Sequence, residues 1–103
     1  MLALLLDIAG ADICIIAFER SDDVGGTWWA NTYPGCRCDV PSHLYSFSFA
    51  PNPSWSRTYS PQSEILAYLK SCADRFGVRD KIRFGCDLTS AVWEDGRWKL
   101  ETS

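Results

Sequence analysis

The sequence predicts an α/β fold, and three observations carry that prediction. "DICIIAF", Asp12 to Phe18, is a near-continuous apolar run of strand length. "SPQSEILAYLKSCADRFG" has the start, stripe and stop signals of an amphipathic helix, and "SAVWEDGRWKLETS" places Asp95-Gly96 between two strand-like arms. A chain of 103 residues, 47% hydrophobic and 14% aromatic, can build a core and amounts to one domain or a piece of one.

In chain order, Leu2 to Ile8 reads as the last turns of a helix, with Gly10 as its left-handed stop. Asp12 to Phe18 follows as a buried strand of the parallel type. Glu19 then stands at the strand's carboxyl end, where a dinucleotide-binding βαβ unit places the acid that accepts a ribose hydroxyl. Asp22 to Phe49, "DDVGGTWWANTYPGCRCDVPSHLYSFSF", lacks helical or strand periodicity in its first half and concentrates large aromatics, the mark of a pocket-shaping loop. Its tail, "YSFSF", also alternates as a half-buried strand would.

Ser60 is the expected N-cap of the helix, Pro61 its first residue and Gly77 its stop. Ile65, Leu69, Cys72 and Phe76 share one face, with Leu66 and Ala73 beside them. "KIRFGCDL" reads as a short second strand, and Asp95-Gly96 suits the positive φ angles of a type I′ hairpin turn. No repeat, linker or low-complexity run interrupts the pattern.

Composition narrows the function classes. Thirteen acidic against ten basic residues, without a basic run, argue against nucleic acid as a partner. "MLALLLDIAG" lacks a basic leader and is shorter than the ~20 residues of a spanning helix, so a soluble, cytoplasmic protein is expected. Five cysteines (Cys14, Cys36, Cys38, Cys72 and Cys86) are an odd number suited to reduced thiols. "CRC" has the wrong spacing for a zinc site and only His43 to add a nitrogen ligand, so no metal is expected.

The strand, the acid and the Gly-Gly-Thr-Trp segment, in this order, resemble the front part of a flavin-containing monooxygenase of the Baeyer–Villiger type. The resemblance runs from about Ile13 to the hairpin through "FER", "DDVGGTWWANTYPGCRCDVPSHLYSFSF", "WSRTYSPQSEILAYL" and "RFGVRDKIRF". It implies a Rossmann-like FAD-binding domain, of which this chain holds a βαβ part plus the β-hairpin. It implies FAD and NADPH as cofactors, with O2 and a ketone or a nitrogen- or sulfur-containing compound as substrates.

The resemblance also implies site residues. Glu19 would bind the ribose of the FAD adenosine, Gly25 and Gly26 would let the backbone pass close to the cofactor, and Thr27 and Trp28 would follow along it. Arg37, Cys38 and Asp39 match the segment beside the flavin and nicotinamide, with Asp39 orienting a catalytic arginine supplied from outside this sequence. Tyr45 matches a tyrosine on the flavin side, and Leu88 the place where backbone groups meet the adenine. Each has a structural alternative: turn and aromatic packing for the glycine segment, a cap for Asp39, a packed strand residue for Tyr45, apolar filler for Leu88. Trp29 reads as flavin wall or core, and His43 as a surface or hydrogen-bonded residue.

The family's first strand and its G-x-G-x-x-G turn have no counterpart here, because Gly10 is the sole glycine ahead of Glu19. The expectation is therefore a partial FAD-binding domain over residues 1–103, without the NADPH-binding domain and inactive by itself. The rival reading is a small aromatic-rich binding module with Trp28, Trp29 and Trp55 as surface anchors.

Overall fold

The computed structural model describes residues 15–103 as a mixed α/β chain. The helix expected before Gly10, and Ile13 and Cys14, lie outside the described residues. Two compact units are present. One runs to Val24 and resumes over Gly77–Ser103; the other is Gly25–Phe76.

In the first unit β1, Ala17–Phe18, pairs in parallel with β2, Ile82–Arg83. The described part of the expected strand is thus shorter than its apolar run, since Ile15 and Ile16 carry no strand pairing. The backbone stays tied beyond β1: the Glu19 N–H donates to Arg83 O at 3.0 Å, and Glu19 O accepts from the Cys86 N–H at 3.0 Å. Asp23 and Arg79 form an ion pair at 2.6 Å in the same unit.

β3, Leu88–Glu94, and β4, Arg97–Thr102, form the expected antiparallel hairpin. Asp95 and Gly96 have φ angles of 51° and 76°, the left-handed pair that a type I′ turn requires. Trp93 pairs with Trp98 across the strands, edge to face, with ring centres 5.4 Å apart. Leu88 opens β3 rather than closing β2, because Phe84 to Asp87 leave the parallel pair and turn through Gly85 at φ 62°.

The second unit is built on α2, Gln62–Arg75, and the short helix α1, Thr27–Ala30. Of the predicted stripe Ile65 and Cys72 are buried, with Ile65 fully enclosed, and so is Ala73 beside it; Leu66 and Leu69 are half-buried, and Phe76, just past the end of the helix, is exposed. Gly77 follows the helix at φ 60°. The start differs from expectation. Pro61 is the N-cap, no side chain caps the helix, and the Ser60 hydroxyl lies 2.6 Å from that of Ser42, both residues being buried. Two buried hydroxyls satisfy one another best, so Ser60 is drawn inward rather than along the helix axis.

"YSFSF" forms no strand. A 3-10 turn over Ser42–Leu44 precedes it, and a tight bridge joins Phe47 to Ala50. The Tyr68 hydroxyl enforces this turn by donating to Ala50 O and accepting from the Phe47 N–H, both at 2.8 Å. Phe47 stacks on Phe49, Phe49 meets Phe76 edge to face, and Trp55 tilts against Tyr68. Aromatic packing against α2 thus replaces the pairing that alternation alone suggested.

Gly25 fixes how close α1 comes to α2. It has φ 133°, and a Cβ there would sit 2.5 Å from Leu66 Cδ1 and 3.2 Å from Trp29 Cβ. We predict that Gly25→Ala lowers stability by about 2 kcal/mol or more, from strain and overpacking together. Gly26→Ala, at φ 52° with nothing within 4 Å, should cost only about 1 kcal/mol. Urea midpoints of the two variants check this; equal losses would contradict the close-approach account.

Burial raises the Tyr68 pKa above its ordinary value of 10.0, against the opposing Phe47 N–H. The unfolded chain therefore ionises this tyrosine first, and its contribution is present below about pH 10 and lost as pH rises through the folded value. Stability should fall more steeply in wild type than in Tyr68→Phe above that pH, measured as urea midpoints across an alkaline series. Parallel curves would contradict it.

Candidate functional site

The sequence-predicted residues fall into two sets, one in each unit. Glu19 and Leu88 belong to the first. Glu19 is half-buried at the carboxyl end of β1, its backbone held on both sides by β2 and the residues after it. Its Oε1 accepts from the Ser21 N–H at 2.8 Å, which orients the carboxylate and leaves Oε2 without a partner among the described residues. A carboxylate so placed has one oxygen to offer a hydroxyl donor. Leu88 is exposed at the start of the hairpin.

The second unit brings together Gly25 to Trp28 and Tyr45. Gly25 and Gly26, both at positive φ, lead into α1, where Gly25 O and Gly26 O accept from the N–H groups of Trp28, Trp29 and Ala30 at 3.0–3.1 Å. Trp28 Nε1 donates to the Tyr45 hydroxyl at 2.9 Å, and the two rings meet edge to face at 5.8 Å. This bond spans 17 residues and fixes the tyrosine by its hydroxyl rather than in a strand. The Gln62 amide donates to Trp28 O, so the first residue of α2 holds the same segment from the other side.

Arg37, Cys38 and Asp39 lie side by side but in different surroundings. Arg37 bridges to Pro61, and the flanking bonds Cys38 N–H to Ser60 O (3.0 Å) and Gln62 N–H to Cys36 O (2.9 Å) fasten the segment to the start of α2. Cys38 is buried and its Sγ accepts from the Val40 N–H, so contacts outward from Cys38 run through its backbone. Asp39 is exposed. The 3-10 turn that follows is capped by Pro41 with no side-chain bond, so the capping alternative for Asp39 is not what the structure shows.

Within Gly25–Phe76, open space at Gly26, an exposed Thr27 and an exposed Asp39 leave room for a group such as FAD; in the other unit, taken by itself, Glu19 offers an oriented carboxylate. Trp28, Trp29 and Trp55 are not surface anchors. All three are half-buried; Trp28 is bonded to Tyr45, Lys70 Nζ lies 5.0 Å above the Trp29 ring, and Trp55 packs on Tyr68. His43 is exposed in the 3-10 turn. Cys36, Cys38, Cys72 and Cys86 are free thiols, and among the described residues no three His, Cys, Asp or Glu side chains come together. Among those residues no helix is long and apolar enough to cross a membrane.

Sequence reasoning missed Gln62, Ser42 and Ser60, which set the geometry of the Arg37 segment. Polar residues flanking a helix start signal a cap, and nothing in their spacing shows that they bond across the chain instead.

No protein-family model matches the chain. Curated relatives do. A Baeyer–Villiger monooxygenase of Streptomyces coelicolor is 56% identical over 89 residues, 84% of this chain and 17% of the relative. A Baeyer–Villiger monooxygenase of Pseudomonas aeruginosa is 43% identical over 101 residues, 96% of this chain and 19% of the relative. Among solved structures, an oxidized steroid monooxygenase bound to NADP superposes with a TM-score of 0.79 at 49% identity, over 84% of this chain and 18% of that one. The open structure of a cyclohexanone monooxygenase gives 0.81 at 41% identity, over 86% and 19%. The chain therefore spans less than a fifth of the length of these relatives. Over that span the chain is homologous, in sequence and backbone, to monooxygenases of the Baeyer–Villiger type.

Proposed function

We propose that this chain supplies FAD contacts of a Baeyer–Villiger monooxygenase that uses NADPH and O2 to insert one oxygen into a ketone or to oxidise a nitrogen or sulfur centre. The observation that carries the reading is the joint likeness in sequence and backbone to the steroid and cyclohexanone monooxygenases. One of these structures holds NADP and another cyclohexanone monooxygenase structure holds ε-caprolactone, the lactone that oxygen insertion into cyclohexanone yields. The chain is read as a partial, Rossmann-like FAD-binding domain. The whole reaction belongs to a protein of the relatives' length.

FAD, when bound, supplies the redox and oxygen-activating chemistry. The chain's own residues bind and orient. Glu19, pinned through its backbone, presents Oε2 to the adenosine ribose, and the exposed start of β3 at Leu88 offers backbone groups to the adenine. Gly25 and Gly26 carry the backbone past the cofactor without a side chain in the way, and Thr27 continues that surface. Trp28 holds Tyr45 by its hydroxyl, so the phenol ring keeps one position on the flavin side. Arg37 and the Cys38 backbone carry Asp39, whose carboxylate orients the catalytic arginine contributed by another part of the protein.

The test replaces the matching segment of the Streptomyces relative with this chain and compares two variants of the hybrid. Asp39→Ala should keep its flavin and lose about 10²-fold in oxygenation rate per bound flavin, as loss of an oriented charge in a water-poor site does. Glu19→Ala should lose flavin occupancy and keep a near-normal rate per flavin that remains. Flavin absorbance and product formation give both quantities. An Asp39→Ala hybrid that loses flavin but keeps its rate would make Asp39 a structural residue and sink the assignment.

A further inference from the structure

Within the unit Gly25–Phe76 a cavity of about 220 Å³ opens beside the first turn of α2. Tyr33, Arg37, Arg57, Tyr59, Gln62 and Ser63 line it, and no carboxylate does. Two arginines thus line one cavity that no acidic residue lines, in a chain whose net charge is -3. Arg37 uses its Nε on Gly35 O at 3.4 Å, which leaves its terminal nitrogens for another acceptor. Arg57 makes no ion pair among the described residues.

The segments that carry the two arginines are tied together. The Ser42 hydroxyl bonds Arg57 O at 2.7 Å and Thr58 O at 2.9 Å, and lies 2.6 Å from the Ser60 hydroxyl. Ser60 O in turn accepts from the Cys38 N–H, next to Arg37. The backbones that set the arginine spacing are therefore fixed before any ligand arrives. The side-chain hydrogen bond with the neighbouring Cys36 raises the Tyr33 pKa above its ordinary value.

We propose that this cavity binds a phosphate group, held by the Arg37 and Arg57 forks with the tyrosine hydroxyls as further donors. Converging donors without an acid are what an oxyanion requires, and a planar guanidinium meets two phosphate oxygens at once. The proposal goes beyond the flavin reading. Arg37 is common to both, whereas Arg57, Tyr33 and Tyr59 have no part in the FAD contacts, so an Arg57 variant separates the two.

The experiment is an NMR titration with inorganic phosphate at low ionic strength, with chloride at matched ionic strength as control. It is run on the 103-residue chain and on the hybrid described above, so the measurement does not depend on the chain folding alone. Saturable shifts at the Arg37, Arg57 and Tyr59 signals are expected, with a Kd of about 1 mM. Arg57→Gln and Arg37→Gln should each weaken binding about fivefold or more, while Lys99→Gln on the hairpin leaves it unchanged. In the hybrid, Arg57→Gln should leave flavin occupancy intact. NADP+ displacing phosphate where NAD+ does not would identify a nucleotide 2′-phosphate as the source; displacement by neither would identify the free anion. Shifts no greater than chloride produces, or an Arg57→Gln variant that titrates like wild type, would overturn the proposal.

Discussion

The second unit depends on one constraint: the first turn of α2 must reach two loop segments at once. Gln62 alone makes both links, donating from its backbone to Cys36 O and from its side chain to Trp28 O. Because α2 is a rigid element of 14 residues with Ile65 enclosed beneath it, whatever is bonded to its first turn inherits a fixed position. The glycine turn, α1 and the Arg37–Asp39 segment are loops by sequence. They are ordered by what they are bonded to.

This explains the division of labour among the aromatics. Phe47, Phe49, Trp55 and Phe76 gather round Tyr68 or next to it, where their area stabilises the helix face. Trp28 and Tyr45 stand apart from that cluster, joined to each other by a hydrogen bond. Burial of apolar area holds the unit together; directional bonds hold the residues assigned to the cofactor. In the first unit the same division appears on a smaller scale, with the parallel pair β1–β2 fixing the Glu19 backbone and the Ser21 N–H aiming its carboxylate.

Local signals in the sequence were sufficient for α2 and for the hairpin. A 3.6-residue apolar stripe with Gly77 behind it, and Asp95-Gly96 between two arms, are decided by neighbours a few residues away. The start of α2, the absence of a strand in "YSFSF" and the position of Leu88 were not legible, because each is decided across a long separation. Ser60 answers to Ser42, and Phe47 to Tyr68. For the candidate site, the family resemblance singled out Glu19, Gly25, Gly26 and Asp39, whereas the bonds that hold their segments run through residues whose spacing carries no chemical message.

The central claim is that these segments hold FAD, and a crystal structure of the hybrid monooxygenase carrying this chain tests it most directly. The account predicts the Glu19 carboxylate at about 3 Å from a ribose hydroxyl of the FAD adenosine, with Gly26 and Thr27 against the cofactor and the Asp39 carboxylate beside the flavin ring. FAD bound with its ribose away from Glu19, or with the Gly25–Trp28 turn facing solvent, would contradict it.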